Sequence, residues 1–352
     1  MRSLLVVAAV AIALIACGGA DTSRLAPASP TRSQPATPTA TPINVDDMMG
    51  LYTRQTVFVA STGKISAVTL LNHFIRYTIP TGGIAQAAAD SPGQFLYVLD
   101  RSADNETRIR TIDVASGYVL ATRYLAVAPA SDRAVAAAID GRLLVLHDDG
   151  KHAWVEAYEY VTLEPKGVVM EKPGCGDRLL ASGSRVAIVC LATGEIAFDT
   201  LHGGGTTLLA NALPKLAGVT MADDGTIYVV TADEHLAVVA PNSTKLLPMP
   251  WPSEWSGTVV PDGIATAAGA PSAAIAEQTA DGAWLRIFAT NNSGQRMSVR
   301  LAGVPHGGIV ALYPFAYYAV GSTIRHADMT SGLLETMVDV GPDARPIAVV
   351  NR

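Results

Sequence analysis

Two clusters in this 352-residue chain set imidazole beside carboxylate, His147-Asp148-Asp149 and Asp233-Glu234-His235. Such groups can relay a proton or hold a surface cation. Both follow short apolar runs, where Asp-rich turns form for backbone reasons alone, so each is read first as a solvated turn. No nucleophile accompanies them: Ser is abundant and the seven His are scattered, but no Gly-x-Ser-x-Gly elbow presents a Ser to a base. A Gly-rich phosphate loop between strand and helix, a Cys-x-x-Cys-His haem site and a Walker motif are also missing. The sequence therefore nominates no catalytic residue, no metal ligand and no cofactor. Its better candidates are aromatic. Trp251-Pro-Ser-Glu-Trp255 holds two Trp in a Pro-bounded segment; exposed, they would form a stacking platform for a sugar or an anchor for an apolar peptide. Wedged between packed elements, the same pair would be core, as Trp154 and Trp284 are expected to be from their strand-like surroundings.

Cysteine usage points to a compartment. Cys17 ends an apolar run, Leu4 to Ala16, that follows Arg2. As a helix this run spans about 20 Å against the roughly 30 Å of a hydrocarbon core, so it reads as a cleaved signal and not as a permanent span. Leu14, Ala16 and Cys17 resemble the bacterial lipoprotein signal, in which an aliphatic residue three positions before the Cys and a small residue next to it precede acylation and cleavage. The resemblance implies a signal peptide over 1–16, lipid on Cys17, and an extracytoplasmic protein held to a bacterial membrane, on the periplasmic side or at the cell surface. The single Arg2 is a thin positive region for that family. A plain secretory signal is the alternative, and Ala9-Val10-Ala11 would serve it only by truncating the apolar run. With Cys17 given to lipid, Cys175 and Cys190 remain as a pair. They flank two short strand-like runs, and a two-residue turn at Ser182-Gly183 would set them directly opposite. A disulfide there would close a loop of about fifteen residues and stabilise by about 3 kcal/mol. Two free buried Cys are the alternative, and an oxidising compartment favours the bond.

The elements that would position these residues begin after a linker. Residues 17–45 are dominated by Pro, Thr, Ser and Ala and have too little apolar surface to offset the entropy of ordering. They read as a disordered tether reaching roughly 30 Å as a coil and about 85 Å if extended. From 46 to 352 the chain turns apolar and Gly-punctuated, with short runs such as Phe95-Leu-Tyr-Val-Leu99, Arg142-Leu-Leu-Val-Leu146 and Ile227-Tyr-Val-Val230 between turn residues. This is an all-β pattern.

The runs repeat. Ile84 to Val98, Ala134 to Val145 and Gly218 to Val229 each show a small-residue strand, an Asp/Ser-Gly turn and a bulkier strand ending in Val. Weaker copies start near Arg178, Gly263 and Gly308, at the spacing of about 40 to 50 residues expected of four-stranded propeller blades. A second motif, Asp113-Val-Ala-Ser-Gly117 and Asp328-Met-Thr-Ser-Gly332, precedes the fourth strand. With Asp339 to Val349, these residues resemble the seven-bladed β-propeller family with degenerate YVTN-type repeats. The resemblance concerns the repeat and carries no functional residue. The ends support a closed ring: Val57 to Pro80 lacks a first strand, and Pro346 to Val350 is a first strand without a blade. Their pairing would complete a seventh blade and remove two open sheet edges. A β-sandwich with an additional domain is the alternative.

In such a ring the first strands line the channel, and here they read as small packing residues, among them Ala85, Ala87, Ala136, Ala138, Ala181, Ala265 and Ala348. Only His306, Asp262 and Asp223 lie near strand starts as polar candidates. Formal net charge is -6, and no basic stripe is present, which excludes nucleic acid as a partner. Two functions follow. One is a non-catalytic binding or protein-assembly module, membrane-anchored through its lipid, holding a protein, peptide or glycan at Trp251, Trp255 or His306. The other is a propeller hydrolase resembling lactonases, with a sugar-lactone substrate.

Overall fold

The computed structural model describes residues 55–351, apart from 84–85, 91, 126–131, 138–140, 184, 201–204, 210–212, 214 and 291–295. The signal peptide, Cys17 and the tether lie outside the described residues, as do Ala85 and Ala138. Among the described residues no helix is long and apolar enough to cross a membrane.

Short β-branched and aromatic runs broken by Gly and Asp turns fold as antiparallel meanders, because each run is too short to do more than pair with its neighbour. The chain starts with β1 (Gln55–Ser61), β2 (Lys64–Thr69) and β3 (Ile75–Pro80). Blade two is β4 (Gln86–Ala89), β5 (Phe95–Arg101), β6 (Thr107–Asp113) and β7 (Val119–Tyr124). Blade three is β8 (Asp132–Ala137), β9 (Arg142–Asp148), β10 (His152–Glu159) and β11 (Pro165–Pro173). Blade four is β12 (Arg178–Ser182), β13 (Arg185–Val189), β14 (Ile196–Thr200) and β15 (Thr207–Leu209). Blade five is β16 (Leu216–Met221), β17 (Ile227–Thr231), β18 (Leu236–Val239) and β19 (Leu247–Met249). Blade six is β20 (Thr258–Thr266), β21 (Ser272–Thr279), β22 (Gly282–Ala289) and β23 (Arg296–Arg300). Blade seven is β24 (Ile309–Leu312), β25 (Phe315–Val320), β26 (Thr323–Asp328) and β27 (Leu334–Asp339).

The last strand, β28 (Arg345–Asn351), pairs antiparallel with β1 and completes blade one, with Val57 opposite Val349 and Phe58 opposite Ala348. The first and last described strands thus build one sheet, and the expected seven-bladed closed ring is what forms.

Strand alternation decides the packing. In β1, Val57 and Val59 pack with Phe315 and Tyr317 of blade seven, while Phe58 and Ala60 pack with Leu96 and Val98 of blade two. Every blade shares its two faces in this way, so seven apolar cores separate seven blades. The first strands β4, β8, β12, β16, β20, β24 and β28 touch one another in turn around the axis. Space is smallest there, which is why Ala recurs in them.

The Asp-x-x-Ser-Gly motif is a turn. Asp113 accepts hydrogen bonds from Ala115 N (2.8 Å) and Ser116 Oγ (2.9 Å), and Asp328 does the same for Thr330 N (2.7 Å) and Ser331 N (3.2 Å). Gly117 closes its turn at φ +75°, and a Cβ there would lie 2.6 Å from the Tyr77 ring of blade one. That close approach makes a side chain at this position costly.

Candidate functional site

All first strands start on one face, and the mouth of the channel there gathers charge. Arg178 starts β12, Arg345 starts β28, and Asp262 sits at φ +55° in the bulge where the β20–β21 register shifts between Val259 and Ile264. The guanidinium of Arg178 donates to both Asp262 oxygens, at 3.0 Å from Nε and 2.6 Å from Nη2. This fork joins blades four and six across blade five and is the strong geometry for an ion pair. Gly308 makes room for it, since a Cβ there would meet Asp262 Cβ at 3.0 Å. Burial pushes the pKa of Arg345 down, Asp262 pulls it up and Arg178 pushes it down further. Arg178 and Arg345 therefore both lie within electrostatic reach of Asp262 at the mouth. The expectation that the inner strands bring almost no polar group to the channel fails at this end, because the charges occupy strand starts, where side chains leave the crowded axis.

Beside these charges a concavity of about 470 Å³ is lined by Ser61, Thr62, His306, Asp343 and Arg345. Thr62 Oγ1 donates to Asp343 at 3.0 Å. His306 is exposed on the rim and is tied down by its backbone, N to Ala319 O at 3.2 Å. Asp223, expected near His306 and Asp262, lies in the turn after β16 at the opposite end of the strand and accepts from Gly269 N at 2.9 Å.

The two Trp of the Pro-bounded segment take different roles. Trp255 is 3 % exposed and packs with Tyr228, Val259 and Phe288 in the core between blades five and six. Trp251 is half-buried, meets Trp255 edge to face at 5.6 Å, and donates from Nε1 to the Trp255 carbonyl at 3.1 Å. It ends a groove of about 800 Å³ lined by Leu236, Leu246, Leu247, Pro248 and Met249, with Asp233, His235 and Lys245 among its polar residues. Only Trp251 of the pair is open to stack on a ligand. Asp233 of the second His-acid cluster is held low in pKa by hydrogen bonds from Thr231 and His235, and Glu234 accepts from Gly257 N, which ties the turn to the segment carrying the Trp.

The first His-acid cluster is not the solvated turn expected. His147 and Asp148 end β9 and are buried, with His147 stacked on Trp154 at 5.1 Å, because the strand runs two residues further than its apolar run. Asp149 alone is the exposed turn acid, accepting from Lys151 N and His152 N. Trp284 lies in β22 against the Arg286 guanidinium at 5.0 Å.

Cys175 and Cys190 form a disulfide with Cα atoms 5.5 Å apart. The register differs by one step on each strand: Ser182 pairs with Arg185, where the expected turn would pair Ala181 with residue 184, and the two Cys are diagonal, not opposite. Sequence reasoning missed Arg178 and Arg345. The available signal was an Arg at the head of two otherwise uncharged first strands.

No protein-family model matches the sequence, and no curated protein matches it. Among solved structures, the chain is similar to apo AztD from Citrobacter koseri, with 15 % identity, a TM-score of 0.59 and coverage of 84 % of this chain and 98 % of that one. It is also similar to a chain of a mitotic checkpoint complex (14 % identity, TM-score 0.56, 75 % of this chain and 82 % of that one). A third is a chain of a nidogen/laminin complex (11 % identity, TM-score 0.51, 84 % and 97 %). At these identities the likeness shows the fold alone: the chain is a seven-bladed β-propeller closed by the pairing of its first and last described strands.

Proposed function

We propose that the protein is a lipid-tethered, extracytoplasmic binding or assembly module that holds a protein, peptide or glycan partner and performs no chemistry on it. In this reading residues 1–16 are removed, Cys17 carries lipid, residues 17–45 act as a tether, and the propeller, with YVTN-type repeats, works clear of the membrane. The observation that carries the binding role is the groove ending at Trp251, a wide apolar concavity with polar residues among its lining. Propellers of similar fold in a nidogen/laminin complex and a mitotic checkpoint complex support a protein partner. The lactonase reading draws on the convergence of Arg178, Asp262, Arg345 and His306 at the channel mouth. Against it, Asp262 is already engaged by the fork of Arg178 and is poorly placed to act as a base.

The test uses full-length protein in detergent, screened against peptide and glycan arrays and separately against sugar lactones in a pH-stat. Expected are array ligands whose affinity falls at least about tenfold in Trp251→Ala, and no lactone turnover. Turnover abolished by Asp262→Asn would replace this reading with the hydrolase. For the anchor, Cys17→Ser should leave the protein unlabelled by a fatty-acid analogue and released from the membrane fraction; retention there at the native level would refute it.

A further inference from the structure

The face opposite the channel mouth carries a second cluster, at the seam between blades seven and one. His326 in β26 and Glu335 in β27 are cross-strand partners, and His73 reaches them from the loop between β2 and β3. Glu335 Oε2 lies 3.6 Å from His73 Nε2 and 3.7 Å from His326 Nε2. One donor atom from each of the three residues falls within 4.8 Å of the others. These separations are too long for hydrogen bonds. They are close to the spacing of two ligands on one tetrahedral ion, about 3.3–3.5 Å for bonds of about 2.0–2.2 Å.

The chemistry of the set is equally selective. His326 is 3 % exposed, packed against the rings of Phe315 and Tyr317, and its Nδ1 has no hydrogen-bond partner among the described residues. The nitrogen that would meet an ion is Nε2, which faces Glu335 at 3.7 Å, and ligation there would keep the ring proton on Nδ1. His73 and Glu335 are more open, with side chains 29 % and 45 % exposed, so an ion could enter from solvent. Two imidazoles and one carboxylate favour a borderline transition metal over Ca²⁺ or Mg²⁺, which prefer oxygen.

We propose that His73, His326 and Glu335 bind one divalent transition-metal ion of the Zn²⁺ class. Three protein ligands leave a fourth position for water or for a partner's side chain. The ion would join blade seven to the blade made from the first and last described strands, at the point where the ring closes. Because it binds only the assembled seam, it would stabilise the closed ring by mass action.

Full-length protein in detergent, stripped with EDTA, dialysed and kept free of reductant so that Cys175 and Cys190 stay bonded, is titrated with Zn²⁺ against a chromophoric chelator. One tight Zn²⁺ per chain is expected, with a rise in Tm of a few degrees and no response to Ca²⁺ or Mg²⁺. Co²⁺ should give the visible absorption of a tetrahedral ion. His73→Ala and Glu335→Gln change open side chains, so both should keep the wild-type circular dichroism in EDTA. Each should lose Zn²⁺ affinity on the order of a hundredfold. Absence of Zn²⁺ binding by the wild type, or equal binding by all three proteins, overturns the site.

Discussion

The two faces of the ring satisfy their polar groups differently. At the channel mouth the carboxylate of Asp262 meets a two-point fork from Arg178 in a partly solvated setting, the two side chains being 40 % and 33 % exposed. At the opposite seam His326 is far more buried, yet Nδ1 has no hydrogen-bond partner among the described residues and Nε2 faces Glu335 at 3.7 Å. Burial, opposed by Glu335, pushes its pKa down to about 4. Glu277 in blade six stands between these cases: it is fully buried and accepts from Arg286 Nε at 2.8 Å, but Oε1 has no partner among the described residues. Charge is thus paired at the mouth, while at the seam a buried ring nitrogen has no hydrogen-bond partner among the described residues. Unmet capacity, more than polarity, marks where a ligand would gain most by binding.

The largest effect should separate the two Trp of the mouth face. Trp255→Ala removes a core wedge and should cost about 3–5 kcal/mol in urea unfolding, whereas Trp251→Ala at the groove should cost about 1 kcal/mol. Equal losses would mean that both rings are core. Next, Arg178→Ala strands the carboxylate of Asp262 and should cost about 1–2 kcal/mol, between the surface and buried limits for an ion pair. Adding Asp262→Ala should return part of that loss in a double-mutant cycle; strict additivity would show that the fork contributes nothing.

At the seam the sign should reverse. In the presence of EDTA, His326→Leu removes an unsatisfied imidazole and should be neutral or stabilising by up to about 1 kcal/mol. A clear loss of stability would erase the contrast between the faces. The smallest effect concerns Glu277, whose pKa is raised because burial outweighs the hydrogen bond and charge of Arg286. The folded state therefore holds this proton more tightly than the unfolded chain does. Its stabilising share is complete below the ordinary Glu pKa and is lost as pH rises through the folded-state value. Unfolding midpoints measured across that window should fall with rising pH in the wild type and fall less in Glu277→Gln.

Much of the fold was legible because it is written locally and repeatedly. The first-strand motif and the Asp-x-x-Ser-Gly turn recur, and the missing strand before Val57 matched the spare strand at Pro346. Register was less legible: a one-residue difference at Gly183 moved Cys175 and Cys190 from opposite to diagonal, since short alternating strands tolerate either turn. The site residues were the least legible. Arg178, Asp262 and Arg345 are isolated in sequence, as are His73, His326 and Glu335, and no spacing rule links them.

The sequence by itself determined the strands, their repeat and the closure of the ring, because hydrophobic alternation and turn chemistry act between near neighbours along the chain. Tertiary structure alone decided that Trp255 is a wedge while Trp251 faces a groove, and that Arg178 reaches Asp262 across an intervening blade. It also decided that two His and a Glu converge where the last complete blade meets the first. Those outcomes depend on which blade faces lie together and which strand ends share a mouth, and a ring sets both only when it closes.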